Sequence, residues 1–313
     1  NGVAVFGEDR RLTTDLDLHQ LTVESAAVKS IDSRYTIASG NLTGGFRNFQ
    51  SADILLSGGC GFNNSGGGLG FNHPKGIATD GKRLLLVDGN NNRVLIWNTL
   101  PDSGDNAPDL VLGQQNFREN NPGETRDKMN WPVAVSTDGV KVVVADTNNY
   151  RILIWNTFPT KNGQPADMVI DSFGAIADDL MYSGDAAWPW GVWTDGEKLA
   201  VTCATLRKTY IWNSFPTRGN QKADFYLTAN RNFGTPRNII SDGKTLIIGD
   251  HNAENTSFSA GNFVWNSFPT KQDEPYSYFM ESPFDPAAGW LKGDFTEDGK
   301  LIAMGATVHL WNK

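Results

Sequence analysis

Cysteine is nearly missing from this chain: its 313 residues hold two, Cys60 and Cys203. Two cysteines make neither a disulfide framework nor a metal knuckle, and no bridge between them is expected. Histidine is scarce as well, at four: His19, His73, His251 and His309. A metal centre built on several imidazoles therefore has few candidates. No apolar run approaches the length that spans a bilayer, and no leader peptide is recognisable. Basic charge is in deficit, with 27 Lys and Arg against 35 Asp and Glu, a net charge of −8. A phosphate-backbone partner needs a basic face. No Lys/Arg cluster stands out, so a nucleic-acid partner is not expected.

Tryptophan, by contrast, is abundant at ten residues. Five of them close one recurring phrase: Ile96-Trp97-Asn98, Ile154-Trp155-Asn156, Ile211-Trp212-Asn213, Val264-Trp265-Asn266 and Leu310-Trp311-Asn312. The spacings are 58, 57, 53 and 46 residues. A near-constant period of this length signals a repeat architecture. The clearest copy spans Pro74 to Gln114. Within it, Gly76–Thr79, Arg83–Val87, Arg93–Trp97 and Asp109–Leu112 are four short β-rich runs bounded by turn residues. Four strands per repeat is one propeller blade.

Asp-Gly pairs number the copies, at Asp80-Gly81, Asp138-Gly139, Asp195-Gly196, Asp242-Gly243 and Asp298-Gly299. Asp32-Ser33 is a degenerate sixth. Asp-Gly favours the type I′ hairpin, and an Asx turn accounts for the aspartates without any catalytic role. The expected fold is all-β: one six-bladed β-propeller covering residues 1–313, with four antiparallel strands per blade. The last copy stops after its third strand. Asn1–Gly7 resembles the missing fourth, so Val3–Phe6 is expected to close the ring against a last blade of about residues 285–313. A Gly-rich stretch from Ser57 to Gly68 reads as a linker. No Lys-Ser/Thr follows its glycines, so it is not a phosphate-binding loop.

Val144-Ala145-Asp146-Thr147-Asn148-Asn149-Tyr150-Arg151-Ile152 resembles the core of an NHL repeat, and so does Val87-Asp88-Gly89-Asn90-Asn91-Asn92-Arg93-Val94. That family forms six-bladed β-propellers, in agreement with the count of turns. The chain departs from the family pattern in several places. Asn92 and Tyr150 stand where the family carries His, and Cys203 and Gly305 fall where Asp88 and Asp146 stand. The family includes binding scaffolds, RNA binders and enzymes, so the resemblance does not decide function.

The phrase Trp97, Trp155, Trp212, Trp265 and Trp311 ends an interior strand, and these rings are expected to pack between blades. The other five tryptophans are Trp131, Trp188, Trp190, Trp193 and Trp290. They lie at or near the start of innermost strands, whose leading loops ring one face of a propeller. Aligned on the Asp-Gly turns, His73, Trp131 and Trp188 share one position. Lys75, Trp190 and Arg237 share another, with Lys292 near them. The repeat does not require Trp or cations there. These residues are expected either to plug the channel mouth or to line an aromatic pocket with a few convergent polar groups, as a ligand site needs. Trp193 lies inside its strand and reads as core.

Metal chemistry has weaker support. Amidating lyases with NHL-like propellers use several inward His, and only His73 falls at the mouth here. Lactonase-like propellers use an acidic metal site, for which Asp294 and Glu24 are candidates. His251 falls in a turn and reads as a surface residue. The Asp88–Asn92 and Asp146–Asn149 turns admit calcium but lack EF-hand spacing. An Asx turn, with Arg93 or Arg151 reaching nearby carbonyls, also explains them. No cofactor is expected. The expected function is a non-catalytic module that binds a carbohydrate, peptide or small anion through Trp131, Trp188, Trp190, Trp290, His73, Lys75 and Arg237. The alternatives are a lyase or hydrolase with a metal-assisted site at the mouth, and a scaffold that only docks a protein. The chain is expected to be a monomer without a membrane span. Low Cys, high Gly and abundant Asn and Thr suggest a secreted or periplasmic setting.

Overall fold

Each described copy of the Trp-Asn phrase forms the third strand of an antiparallel sheet. The computed structural model describes residues 56, 66–67, 69–104, 106–173, 187–256, 260–281, 292–295, 301–304 and 308–311. The chain divides into two units, Asn1–Leu55 and Leu56–Lys313. All the described residues fall in the second.

The first sheet holds β1 (Pro74–Thr79), β2 (Leu84–Asp88), β3 (Arg93–Trp97) and β4 (Leu110–Leu112). The second holds β5 (Ala134–Thr137), β6 (Val142–Asp146), β7 (Arg151–Trp155) and β8 (Met168–Ile170). The third comprises β9 (Pro189–Thr194), β10 (Leu199–Cys203), β11 (Lys208–Trp212) and β12 (Phe225–Leu227). The fourth comprises β13 (Pro236–Ser241), β14 (Leu246–Asp250), β15 (Gly261–Trp265) and β16 (Tyr278–Glu281). A fifth sheet has three described strands, β17 (Lys292–Phe295), β18 (Leu301–Met304) and β19 (Val308–Trp311). Strands follow sequence order in every sheet. The first strands pack in succession, β1 on β5, β5 on β9, β9 on β13 and β13 on β17. This is a β-propeller of four-stranded antiparallel blades, with inner strands gathered about a common axis. Four blades are complete among the described residues, so the expected six is not reached there. The degenerate copy at Asp32-Ser33 and the closing strand Val3–Phe6 lie outside the described residues.

The aspartate turns differ from expectation in one respect. Gly81 has φ +82°, but Asp80 does not share the positive φ that a type I′ turn needs at both central residues. The loop is longer, because Thr79 pairs with Leu84. Asp80 Oδ1 instead accepts the N–H groups of Lys82 and Arg83, at 3.0 and 2.6 Å. Asp138, Asp195 and Asp242 repeat the device. This is the Asx turn.

Trp97, Trp155, Trp212 and Trp265 are at most 2% exposed. Each indole Nε1–H donates to a carbonyl nine residues on, at Asn106, Gln164, Gln221 and Glu274. The rings fill the seams. Trp155 packs with Leu85, Val94 and Leu112 of the first blade, and Trp212 packs with Val143 and Ile154 of the second. A cation from each blade also lies on a Phe of the next, Arg83 on Phe158, Lys141 on Phe215 and Lys198 on Phe268, at 3.7, 5.0 and 5.5 Å. No helix among the described residues is long and apolar enough to cross a membrane.

Candidate functional site

Two buried ion pairs shape the turns that feed the channel mouth. Arg93 Nε donates to Asp88 Oδ2 at 2.8 Å, with neither side chain exposed. Arg151 and Asp146 repeat the contact at 2.7 Å. Asp88 also accepts from the Asn72 N–H and the Asn91 amide. The carboxylate at the base of this Asp/Asn turn is therefore engaged by protein donors, and the arginines reach the carbonyls of Phe117, Thr125 and Lys128. With the base of the turn fixed, the amides at its tip project towards the next blade.

Those amides hold the tryptophans. The Trp131 indole donates to Asn90 Oδ1 at 3.0 Å, and the Trp188 indole donates to Asn148 Oδ1 at 3.3 Å. The Trp131 backbone N–H donates to Asn92 Oδ1 at 2.8 Å. His73, Trp131 and Trp188 have φ of 59°, 50° and 45°, and each precedes a proline. Bulky residues in the left-handed region are uncommon, and such backbone costs on the order of 1–3 kcal/mol and tends to cluster at functional sites.

The three rings meet. Trp131 and Trp188 stack with centroids 6.0 Å apart and planes 19° apart. Trp190 meets both edge-on, at 5.6 and 5.4 Å. Trp131 and Trp188 are half-buried, whereas Trp190 is only 4% exposed, so it forms the floor of the cluster. Two cations from other blades lie on this floor. Lys75 Nζ is 4.2 Å from the Trp131 centroid and 5.5 Å from that of Trp190. Arg237 Cζ is 4.1 Å from the Trp190 centroid. Five of the seven expected ligand-face residues thus converge. His73 stands at the matching turn of the first blade, exposed, and makes none of these ring contacts. Trp290 lies outside the described residues, as does Glu24. Trp193 belongs to a seam, 5.2 Å from Phe268 and bonded to the Ser241 carbonyl.

The cluster is electrostatically strained. Burial and then the Arg237 charge lower the pKa of Lys75. Burial and then Lys75 bring Lys292 down to about 8. Arg237 falls to about 10 through burial, opposed by Asp250. Burial and then Arg237 lower His251, a half-buried turn residue whose backbone N–H donates to the Thr235 carbonyl at 3.3 Å, two residues before Arg237. Asp250, fully buried, is raised to about 6 by burial, against the N–H groups of Thr235, Asn252 and Gly234 that it accepts. The structure adds Lys292, His251, Asn90 and Asn148 to the expected site.

Asp294 lies on β17. Much of its surface is open, yet desolvation and then the Asp242 charge raise its carboxyl. No three His, Cys, Asp or Glu side chains gather as a metal group among the described residues. Burial pushes the Cys203 thiol well up, the reverse of a poised nucleophile. A separate open groove of about 640 Å³ runs beside β8, lined by Glu124, Arg126, Asp167 and Asn220 among others. It shares no residue with the tryptophan cluster.

No family model matches the chain, and no curated protein matches it. Among solved structures it is similar to hydrazine synthase of Kuenenia stuttgartiensis, at 13% identity and a TM-score of 0.46, covering 83% of this chain and 59% of that one. It is also similar to streptogramin B lyase, at 12% identity and 0.42, covering 76% and 65%. A chain of the nidogen/laminin complex aligns at 12% and 0.37, covering 76% and 75%. The chain spans less than two thirds of the first two of these proteins. Its blade architecture stands on its own four sheets.

Proposed function

We propose that this protein is a non-catalytic binding module that recognises a carbohydrate, peptide or small anion at the mouth of its channel. Trp131 and Trp188 offer the apolar face, Trp190 the floor, and Lys75 and Arg237 the charge. One observation carries the reading: two cations from the first and fourth blades lie on one indole from the third, at 5.5 and 4.1 Å. Packing alone would be served by neutral side chains. Aromatic walls with convergent polar groups suit a ligand, and cation–π contacts hold the charges in place. His73 and Trp290 complete the proposed face.

The proposal extends to a six-bladed NHL-like ring spanning the chain, to a secreted or periplasmic setting and to a protein that acts as a monomer without a cofactor. The Asp-Gly turns support the six-bladed ring, and the composition supports the setting.

The test is a tryptophan-fluorescence titration against sugars, short peptides and organic acids, with melting curves alongside. Saturable quenching is expected from the native chain. A Trp131→Ala, Trp188→Ala double variant should lose it while its melting temperature stays within a few degrees. Retained affinity in a folded double variant would refute the site. Trp190 is a poorer target, because truncating so buried a ring costs about 3–5 kcal/mol.

A further inference from the structure

Three cations from three blades share one electrostatic neighbourhood in a chain of net charge −8. Lys75 is the second residue of β1, Arg237 lies in β13 and Lys292 opens β17. Arg237 acts on Lys75, and Lys75 acts on Lys292. Geometry brings them together as well: Lys292 heads β17, the inner strand that packs on β13, and Arg237 is the second residue of β13. Lys75 is the hub, since it also lies on the Trp131 and Trp190 rings. Arg237 is 9% exposed and lies over the same Trp190 ring, 4.1 Å from its centroid. The Asp250 charge acts on Arg237 in the opposite sense, favouring its charged form.

Like charges gathered in a partly desolvated mouth oppose one another's ionisation. An anion reverses that sign, because it favours the charged form of all three. A guanidinium presents a planar fork to carboxylate or phosphate, while ammonium groups act as point charges. The neighbouring tryptophan wall fits the apolar body that carries such a group.

We propose that Lys75, Arg237 and Lys292 form one anion subsite at the channel mouth, which takes the carboxylate or phosphate monoester of a ligand whose apolar body packs against the Trp131–Trp188 pair. This rests on the binding-module reading above and names its ligand as an acid. Lys292 belongs to the site despite the degenerate sequence of its blade.

Calorimetric titration of the full chain with benzoate, phenyl phosphate and benzyl alcohol tests it, since the three share a ring and differ in the head group. The acid probes should bind at least tenfold more tightly than benzyl alcohol. The stronger of the two identifies the preferred acid. Lys292→Met, and separately Lys75→Met, should each bring the better acid down about tenfold, towards the neutral probe. Benzyl alcohol binding as tightly as both acids would overturn the subsite and leave the aromatic face standing. An acid preference unchanged in both folded variants would also overturn it. No binding by any probe would overturn the subsite and the binding-module reading together.

Discussion

Asp88, Asp146 and Asp250 occupy one position in three blades, and their partners set their chemistry. The first two face Arg93 and Arg151. Opposite Asp250 the ladder places Gly261, so backbone N–H groups replace the guanidinium. Removing one partner of a buried pair leaves an uncompensated charge at a cost of about 3–5 kcal/mol. Arg93→Ala should lose about that much in chemical denaturation; a loss under about 1 kcal/mol would contradict the pair's structural role. For Asp250 the folded pKa, about 6, lies above the ordinary 3.8. The fold therefore binds its proton more tightly than the unfolded chain does. Its contribution is fully present below about pH 3.8 and is lost as the pH rises through about 6, on the order of 3 kcal/mol. Asp250→Asn should abolish that slope between pH 4 and 6; an unchanged slope would assign it elsewhere. Lys292 titrates at the other end. An anion favours its charged form, so affinity for phenyl phosphate should fall as the pH rises through about 8, and Lys292→Met should flatten the fall.

At the level of elements, the repeat is legible in the sequence because its devices are local. The expected run Arg93–Trp97 coincides with β3, and the other three runs of that copy fall within two residues of β1, β2 and β4. Asx turns and alternating apolar residues act over a few positions, so pattern reveals them. The turn type was not legible, since it depends on φ at Asp80 rather than on the Asp-Gly pair. In the sequence the Asp/Asn turns read as Asx turns that also admit calcium. Their second task, in which Asn90 and Asn148 hold indoles about 40 residues ahead, is a contact between blades that no local pattern encodes. A sharp division of labour follows. Asn90→Ala together with Asn148→Ala should weaken ligand binding several-fold while costing little in melting temperature. Trp212→Ala, in a seam, should cost about 3–5 kcal/mol. A severe loss of stability from the Asn pair would make those turns structural instead.

Across the whole molecule, a net charge of −8 says nothing of where the cations gather, and Lys75 and Arg237 both lie on the Trp190 ring. Aligning the repeats brought Trp131, Trp188, Trp190, Lys75 and Arg237 to one level, because homologous positions in a propeller share a ring. The same alignment set Lys292 near them without counting it among the contacts, and His251 fell outside it. Packing of β17 on β13 brings Lys292 towards Arg237, and the His251 backbone bonds to Thr235 just ahead of β13. Ring closure is a property at this scale too. If Val3–Phe6 completes the last blade, deleting residues 1–7 should sharply lower the melting temperature, and an unchanged value would rule that closure out.

The most direct single measurement is an NMR titration of the ten indole N–H resonances, assigned by Trp→Phe replacement, with phenyl phosphate. Shifts at Trp131, Trp188, Trp190 and Trp290, with Trp97, Trp155, Trp212 and Trp265 unmoved, are the predicted result. Shifts at the seam indoles with the mouth silent, or none at any indole, would contradict a ligand site at the channel mouth.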